Sequence, residues 1–484
     1  MPAPAPVPAP LADWRHIGNF TVELGLAGAA SGPVLRVWYG SGGTLFAQTE
    51  AGRVFQTPDL ENWQRDTTAA PPAVGNAKTQ TVPEAGAQTR APAGDNNRMY
   101  AFGNFVYRSE DGGAHWENMT AFRGASLIGS VVDLAIAPGN SDEIVTAGAA
   151  GVFRSVDGGQ SWSGLNQGLP NLPATRLLDL PVGDQGARIA LRDDTAAAWP
   201  PGNKEAWVPA SNSDLVNETQ LRAALSSLRG VNVTAIAIAG DFIYTGMQDG
   251  DVSVSADRGL SWQTFSSAGS GAVERFWVDA QDPRVALAAL GAAPADPLRS
   301  TAPPHVLHTM NAGAFWDNFT ANLPDAAHGV AADGASGVLY AATDSGVYMA
   351  YADLNALGSV ETWIAVPGLP ASAAMDVKLD PQANQLWAAL DGYGVYSTLA
   401  PHRLRDPSVV SAADMIARAV APGSLISVLG ARIDSVRASG VLAPVLAASM
   451  SESQIQIPFE VRGDTLSLVA SFAGNAVKLP SLSL

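Results

Sequence analysis

Ser109-Glu110-Asp111-Gly112-Gly113-Ala114-His115-Trp116 is the stretch on which the reading of the fold turns, because it recurs. The same spacing returns as Ser155-Val156-Asp157-Gly158-Gly159-Gln160-Ser161-Trp162 and as Ser255-Ala256-Asp257-Arg258-Gly259-Leu260-Ser261-Trp262. The shared pattern is S-x-D-x-G-x-x-W. A relaxed copy is Thr309-Met310-Asn311-Ala312-Gly313-Ala314-Phe315-Trp316, and degenerate copies end at Trp63, Trp207 and Trp363. A periodic self-similarity of this kind marks an architecture of repeated units. Each copy has a local logic. A strand ends at the Ser or Thr, and the Asp carboxylate accepts hydrogen bonds from the amides of a tight turn. The Gly supplies a positive φ. The Trp opens the next strand and buries its ring against a neighbour.

The seven tryptophans are 53, 46, 45, 55, 54 and 47 residues apart, which is the length of one four-stranded antiparallel unit. Upstream of the boxes lie hairpins with period-two apolar alternation, such as 338–348 and 386–396. First strands are expected at 34–39, 131–137, 176–181, 231–239, 273–280 and 375–380. Residues 67–97 read as a long loop and 290–304 as a Pro-rich excursion. One helix is expected over 214–228, capped by Ser213, ended by Gly230, with Leu221, Ala224, Leu225 and Leu228 on one face.

These residues resemble the Asp-box, or BNR, repeat of sialidases, sortilin-type receptors, xyloglucan-cleaving endoglucanases and photosystem-assembly propellers. The resemblance spans about residues 12–400. It implies an all-β fold, a propeller in which the box joins the third and fourth strands away from the ligand face. The box residues Ser109, Asp111, Gly113, Trp116, Ser155, Asp157, Gly159, Trp162, Ser255, Asp257, Gly259, Trp262, Thr309, Asn311, Gly313 and Trp316 are then structural. Trp14-Arg15-His16-Ile17 reads as the missing outer strand of the last blade, which closes the ring and gives eight blades; seven result if residues 176–209 are not a blade.

After Ala400 no box occurs. Residues 401–407 read as a linker and 408–484 as a small β-sandwich-like domain. Its segments 421–430 and 453–459 resemble the C-terminal Ig-like β-domain of secreted acidobacterial proteins. Residues 1–11, alternating Pro with Ala and Val, read as a polyproline-like tether without the features of a signal peptide. The resemblances imply an extracellular, cell-surface or periplasmic location.

Composition narrows the function classes. The 484 residues carry 28 basic and 45 acidic side chains, a formal charge of −17, which disfavours nucleic-acid binding. No apolar run is long enough to span a bilayer. With no cysteine there is no disulfide, thiolate nucleophile or Cys-based zinc site. His305 and His308 fall on opposite faces of a strand, so no metal site is expected, and no cofactor fingerprint occurs. The sialidase Arg-Ile-Pro motif is absent.

The loops between second and third strands supply the ligand-face candidates Glu50, Asp193, Asp194, Asp249, Asp344, Asp391 and Tyr393. Converging carboxylates hold sugar hydroxyls, or act as acid and base in glycoside hydrolysis. Most of them also suit ordinary hairpin turns. Arg36 with Trp38 and Arg275 with Trp277 join the candidates, since an Arg beside a Trp stacks a sugar or holds an anion. Asp133, Asp279 and Asp376 suit buried hydrogen-bonding roles on first strands. The leading expectation is a non-catalytic recognition or scaffold protein that binds a carbohydrate or protein partner. The alternatives are a propeller glycoside hydrolase or lyase using acidic loop residues, and an assembly factor for a membrane complex.

Overall fold

The computed structural model describes residues 12–23, 27–73, 82–95, 97–121, 128–181, 186–200, 206–267, 270–294, 302–360, 362–405, 408–430, 433–449, 452–472 and 475–484. The tether at 1–11 and residues 295–301 of the excursion at 290–304 lie outside them. The described chain is a series of four-stranded antiparallel meanders, the architecture of a β-propeller. In chain order these are sheet 1 (34–66), sheet 2 (88–118), sheet 3 (131–164), sheet 4 (172–210), sheet 5 (233–265), sheet 6 (273–318), sheet 7 (327–365) and sheet 8 (374–399). Sheet 8 has three strands from its own segment. Its fourth is Arg15–Ile17, which pairs with Gly394–Leu399 in the register Arg15↔Ser397, His16↔Tyr396, Ile17↔Val395.

First strands fall at Val34–Tyr39, Val131–Ala137, Leu172–Asp179, Val233–Ala239, Val273–Val278 and Ala374–Leu379, close to their expected positions. The first strand of sheet 2, Gln88–Arg90, lies inside the segment read as a long loop. Three residues set among Ala, Pro and Gly give no visible alternation, so pairing with Met99–Phe102 decides the strand, not local pattern.

The S-x-D-x-G-x-x-W segments join third to fourth strands. In the copy at Ser155, the hydroxyl accepts from Gly159 N–H (2.8 Å) and the Asp157 carboxylate accepts from the amides of Gln160 and Ser161 (2.9 Å each). Thr309 and Asn311 repeat this with Gly313 and Phe315. The carboxyls of Asp111 and Asp257 are held below the usual range, Asp111 chiefly by the His115 amide and Asp257, at about 2, chiefly by the Ser261 hydroxyl. Two consecutive left-handed residues make the turn: Gly112 and Gly113, or Arg258 and Gly259, or Ala312 and Gly313. A Cβ on Gly313 would also meet Val254 Cγ2 at 2.4 Å. The copy ending at Trp63 is one residue shorter; Asp59 still accepts from Glu61 and Asn62, but only Leu60 is left-handed.

The sheets do not pack in chain order. Buried apolar clusters join sheet 2 to sheet 3 and sheet 3 to sheet 1. Others join sheets 5, 6, 7 and 8 in succession, and then sheet 8 to sheet 4. Leu172 and Pro173 of sheet 4 pair directly with Gly392 and Asp391 of sheet 8. Two stacks result, 2–3–1 and 5–6–7–8–4, and one device recurs in both. A register shift in sheet 3 between Val131 and Asp133 lets the buried Asp133 carboxylate accept from Val37 N–H of sheet 1 (3.1 Å). The matching shift in sheet 8 lets Asp376 accept from Leu177 N–H of sheet 4 (2.9 Å).

The helix runs Ser213–Arg229. Asn212, not Ser213, occupies the N-cap position, without a side-chain cap, and Gly230 ends the helix in the left-handed conformation. Its expected apolar face stays outside the core: Leu221 and Leu228 are exposed, and only Leu215 is buried. No helix among the described residues is long and apolar enough to cross a membrane. Residues 401–405, read as a linker, form a 3-10 turn docked on sheet 7 through His402 Nδ1 and the Tyr340 hydroxyl (2.9 Å). Beyond it, two four-stranded sheets enclose one apolar cluster around Ile426, Val428, Ile455 and Leu468. Leu425–Leu429 and Glu452–Gln456, from the two segments singled out in the sequence, pair with each other. Arg15 of sheet 8 ties this unit to the rest through Glu452 (2.9 Å).

Asp376 is 2% exposed and serves two partners across a sheet boundary, so Asp376→Ala is expected to cost about 3–5 kcal/mol by leaving a buried amide and cation unpaired. Asp249→Ala, in an exposed turn, is expected to stay within about 0.5 kcal/mol. Urea denaturation of the two variants checks the contrast.

Candidate functional site

The loops after second strands bring Glu50, Asp391 and Tyr393 together where sheets 1, 4 and 8 meet. Glu50 follows strand Leu45–Thr49, and its amide donates to the Pro33 carbonyl (3.1 Å). Asp391 sits near the end of strand Gln385–Gly392, and its amide donates to the Ala373 carbonyl (2.9 Å). Arg192, immediately after strand Ala187–Leu191, reaches between them. Its Nη1 donates to Glu50 Oε2 and its Nη2 to Asp391 Oδ1, the second at 2.6 Å. Arg53 closes the other side. It donates to the Asp391 carbonyl (2.9 Å) and to Ser372 Oγ (2.7 Å), and its guanidinium lies 5.1 Å from the centre of the Tyr393 ring.

Beside this cluster is a cavity of about 660 Å³ at the junction of the two stacks. Its walls are mainly apolar, with Val22, Pro33, Ala150, Pro173 and Leu191, while Glu50, Arg192 and Asp193 supply the polar edge. Small-molecule and short-chain ligand sites typically have this make-up. Asp193 accepts from the amide and hydroxyl of Thr195 in its own turn. Asp194 is left-handed, and its carbonyl accepts from Asn212.

The remaining candidates lie apart. Asp249 accepts from the Asp251 amide in its own turn. Asp344 pairs with His328, whose Nε2 lies 3.0 Å from it and whose Nδ1 lies 2.8 Å from Glu274. Burial disfavours the imidazolium here, but the hydrogen bonds and charges of Glu274 and Asp344 outweigh it, and the His328 pKa is pushed up to about 9. Arg275 is drawn to Asp376 (3.5 Å) and donates to the Thr175 carbonyl (3.0 Å), bridging sheets 6, 8 and 4. Trp277 packs between sheets 6 and 7. Arg36 donates to Asp133 (2.8 Å), and Trp38 stacks on Phe46 at 5.4 Å between ring centres. Of the histidine pair, His308 is fully buried with Nε2 on the Leu354 carbonyl (3.0 Å). Among the described residues no group of three or more His, Asp or Glu is arranged to hold a metal ion.

Sequence reasoning missed Arg53, Arg192, Glu274 and His328. Arg192 stands next to Asp193 and Asp194, and Arg53 closes the hairpin turn that carries Glu50. A search for cations flanking the acidic turns would have found both.

No family model matches the chain, and no curated protein matches it. Solved structures give distant likenesses. A GH74 enzyme from Niastella koreensis is 14% identical, with a TM-score of 0.29, over 92% of this chain and 61% of that one. The GH74 xyloglucanase of Xanthomonas campestris is 16% identical, with a TM-score of 0.31, over 91% and 66%. YCF48 bound to D1 peptide is 13% identical, with a TM-score of 0.20, over 81% and 99%. The chain thus spans somewhat under two thirds of the length of the two GH74 proteins. Superpositions this loose add nothing to what the sheets themselves show.

A raised histidine pKa stabilises the fold below its unfolded value, about 6.5, and that stabilisation is lost as pH rises through the folded value, about 9. The melting-temperature gap between the protein and His328→Gln is therefore expected to be widest near pH 6 and to shrink by pH 9.5. A gap that does not change across that range contradicts the His328 bridge.

Proposed function

We propose that this chain is a non-catalytic recognition protein that holds a carbohydrate or protein partner at the Glu50–Arg192–Asp391 cluster and the cavity beside it. The observation that carries this reading is the position of Arg192. A glycosidase of the two-carboxylate type needs one carboxyl that keeps its proton near neutral pH and a second that stays charged. Arg192 instead fills the space between Glu50 and Asp391 and donates to both, so the two carboxylates face a guanidinium where a scissile bond would have to lie. It suits a ligand that enters beside a preformed ion pair and hydrogen-bonds to its unused oxygens and N–H groups.

The surrounding architecture enters the same proposal. The four-stranded sheets are read as eight blades of one propeller, with Arg15–Ile17 completing the eighth. The turns ending at Trp116, Trp162, Trp262 and Trp316 are read as Asp-boxes with a structural task; their side-chain bonds are spent on their own amides, which supports this. The unit at 408–484 is read as an Ig-like module of a secreted protein, and the chain as extracellular, cell-surface or periplasmic. Its two sheets around one apolar cluster support that reading.

The reading is tested by incubating the purified protein with plant, bacterial and sialylated polysaccharides and measuring new reducing ends. Release is expected to stay at background for the protein and for an Asp391→Asn, Asp344→Asn variant alike. Release that the variant abolishes would make the chain a hydrolase. In parallel, binding to a glycan and peptide array is expected to fall at least tenfold in Glu50→Ala, Arg192→Ala protein. An array signal that the double variant leaves intact would place the ligand elsewhere.

A further inference from the structure

A second and larger cavity, about 910 Å³, opens among sheets 1, 2 and 3 at the other end of the strands. Its walls are the C-terminal ends of first strands and the hairpins that follow: Arg36–Tyr39, Thr89–Asp95 and Asp133–Ser141. Those hairpins and the box turns share one end of each sheet, whereas Glu50 and Asp391 sit on turns at the opposite end. It is therefore a separate site from the one beside Arg192.

Two arginines from different sheets converge on one carboxylate in this cavity. Arg36 Nε donates to Asp133 Oδ2 (2.8 Å) and Arg90 Nη2 to Asp133 Oδ1 (3.0 Å). Asp133 is only 3% exposed, so the pair is fixed at the floor. Among the described residues, the other hydrogen bonds of these guanidiniums go to the Pro72 and Thr89 carbonyls, and Arg90 lies over the Phe102 ring at 5.2 Å. A guanidinium has five N–H donors. Each of these spends two on the described residues, which leaves donors on each to face a ligand. The floor holds two cations against one anion, on a chain whose formal charge is −17. The other carboxylate of the lining, Asp95, is turned to the amides of Asn97 and Arg98 (2.9 and 3.1 Å).

The walls suit a ring-shaped ligand. Trp38 is half-buried, and Phe46 covers one face of its indole, which keeps the ring in place. Pro72, Ala91 and Pro92 supply further flat apolar surface.

We infer that this cavity binds an acidic saccharide, with a sugar carboxylate held by Arg36 and Arg90 and a pyranose ring against Trp38. Guanidiniums match carboxylates in a two-point geometry, and aromatic rings match the apolar face of a sugar. The cavity's size admits an oligomer of several rings, as opposed to a single ion. The inference does not depend on the Arg192 site.

Calorimetry of the full chain with tri-galacturonate at low salt tests it, with galactotriose as the neutral counterpart and tri-glutamate as a carboxylate peptide. Tri-galacturonate is expected to bind and galactotriose not to. Affinity is expected to weaken at least tenfold in Arg90→Gln and in Trp38→Ala, and to be unchanged in Asp249→Ala. Melting curves accompany each variant; if Arg90→Gln is unfolded, Trp38→Ala decides. No binding of tri-galacturonate, equal binding of galactotriose, tighter binding of tri-glutamate, or full affinity in the folded variants would each overturn the assignment.

Discussion

A four-stranded sheet has two faces, and in this chain both must be covered by other sheets. Strands such as Ala286–Leu290 and Val338–Thr343 are buried at every position, which no single solvent-backed sheet permits. That constraint explains the sequence economy elsewhere. The turns are made locally, from a hydroxyl, a carboxylate and a left-handed pair, so little side chain is needed at strand ends. The sheets are then free to be chosen for packing alone. Where two sheets meet, the polar backbone that a bulge exposes is taken up by a buried aspartate, Asp133 in one stack and Asp376 in the other. These carboxylates are acceptable inside the fold because an amide and a guanidinium accompany each one.

The same logic places the candidate sites. Within the stacks, sheet faces are filled largely by Ala, Val and Leu. Space opens at the junction of sheets 1, 3 and 4, and at one end of the strands among sheets 1, 2 and 3. Both openings carry arginine–carboxylate pairs whose partners come from different sheets. Each pair therefore positions a polar edge and also ties sheets together. This dual duty means that a change at Arg192 or Asp133 acts on assembly as well as on any ligand.

Much of the fold was legible in the sequence. The box spacing placed the turns, and period-two patterning placed most first strands within two or three residues. Leu172–Asp179 began earlier than expected because Pro173 interrupts the alternation. Strand Gln88–Arg90 was invisible because its pairing, not its composition, makes it a strand. The helix's C-terminal end was readable from Gly230, but its burial was not, since nothing local says that Leu221 and Leu228 stay exposed. The site was legible only in half. Acidic turns reveal themselves by their own sequence, whereas Arg192 meets Glu50 from 142 residues away and Asp391 from 199. Such encounters depend on packing order, and here sheets 1 and 4 do not lie beside their neighbours in sequence.

Arg192 joins sheets 1, 4 and 8 into one junction that frames the site. Amide hydrogen exchange of the protein and of Arg192→Ala measures this directly. Faster exchange is expected together at Glu50, at Asp391 and at the strand 187–191, the three segments that this guanidinium joins. Faster exchange confined to the strand that carries Arg192, with Glu50 and Asp391 as protected as before, would contradict it.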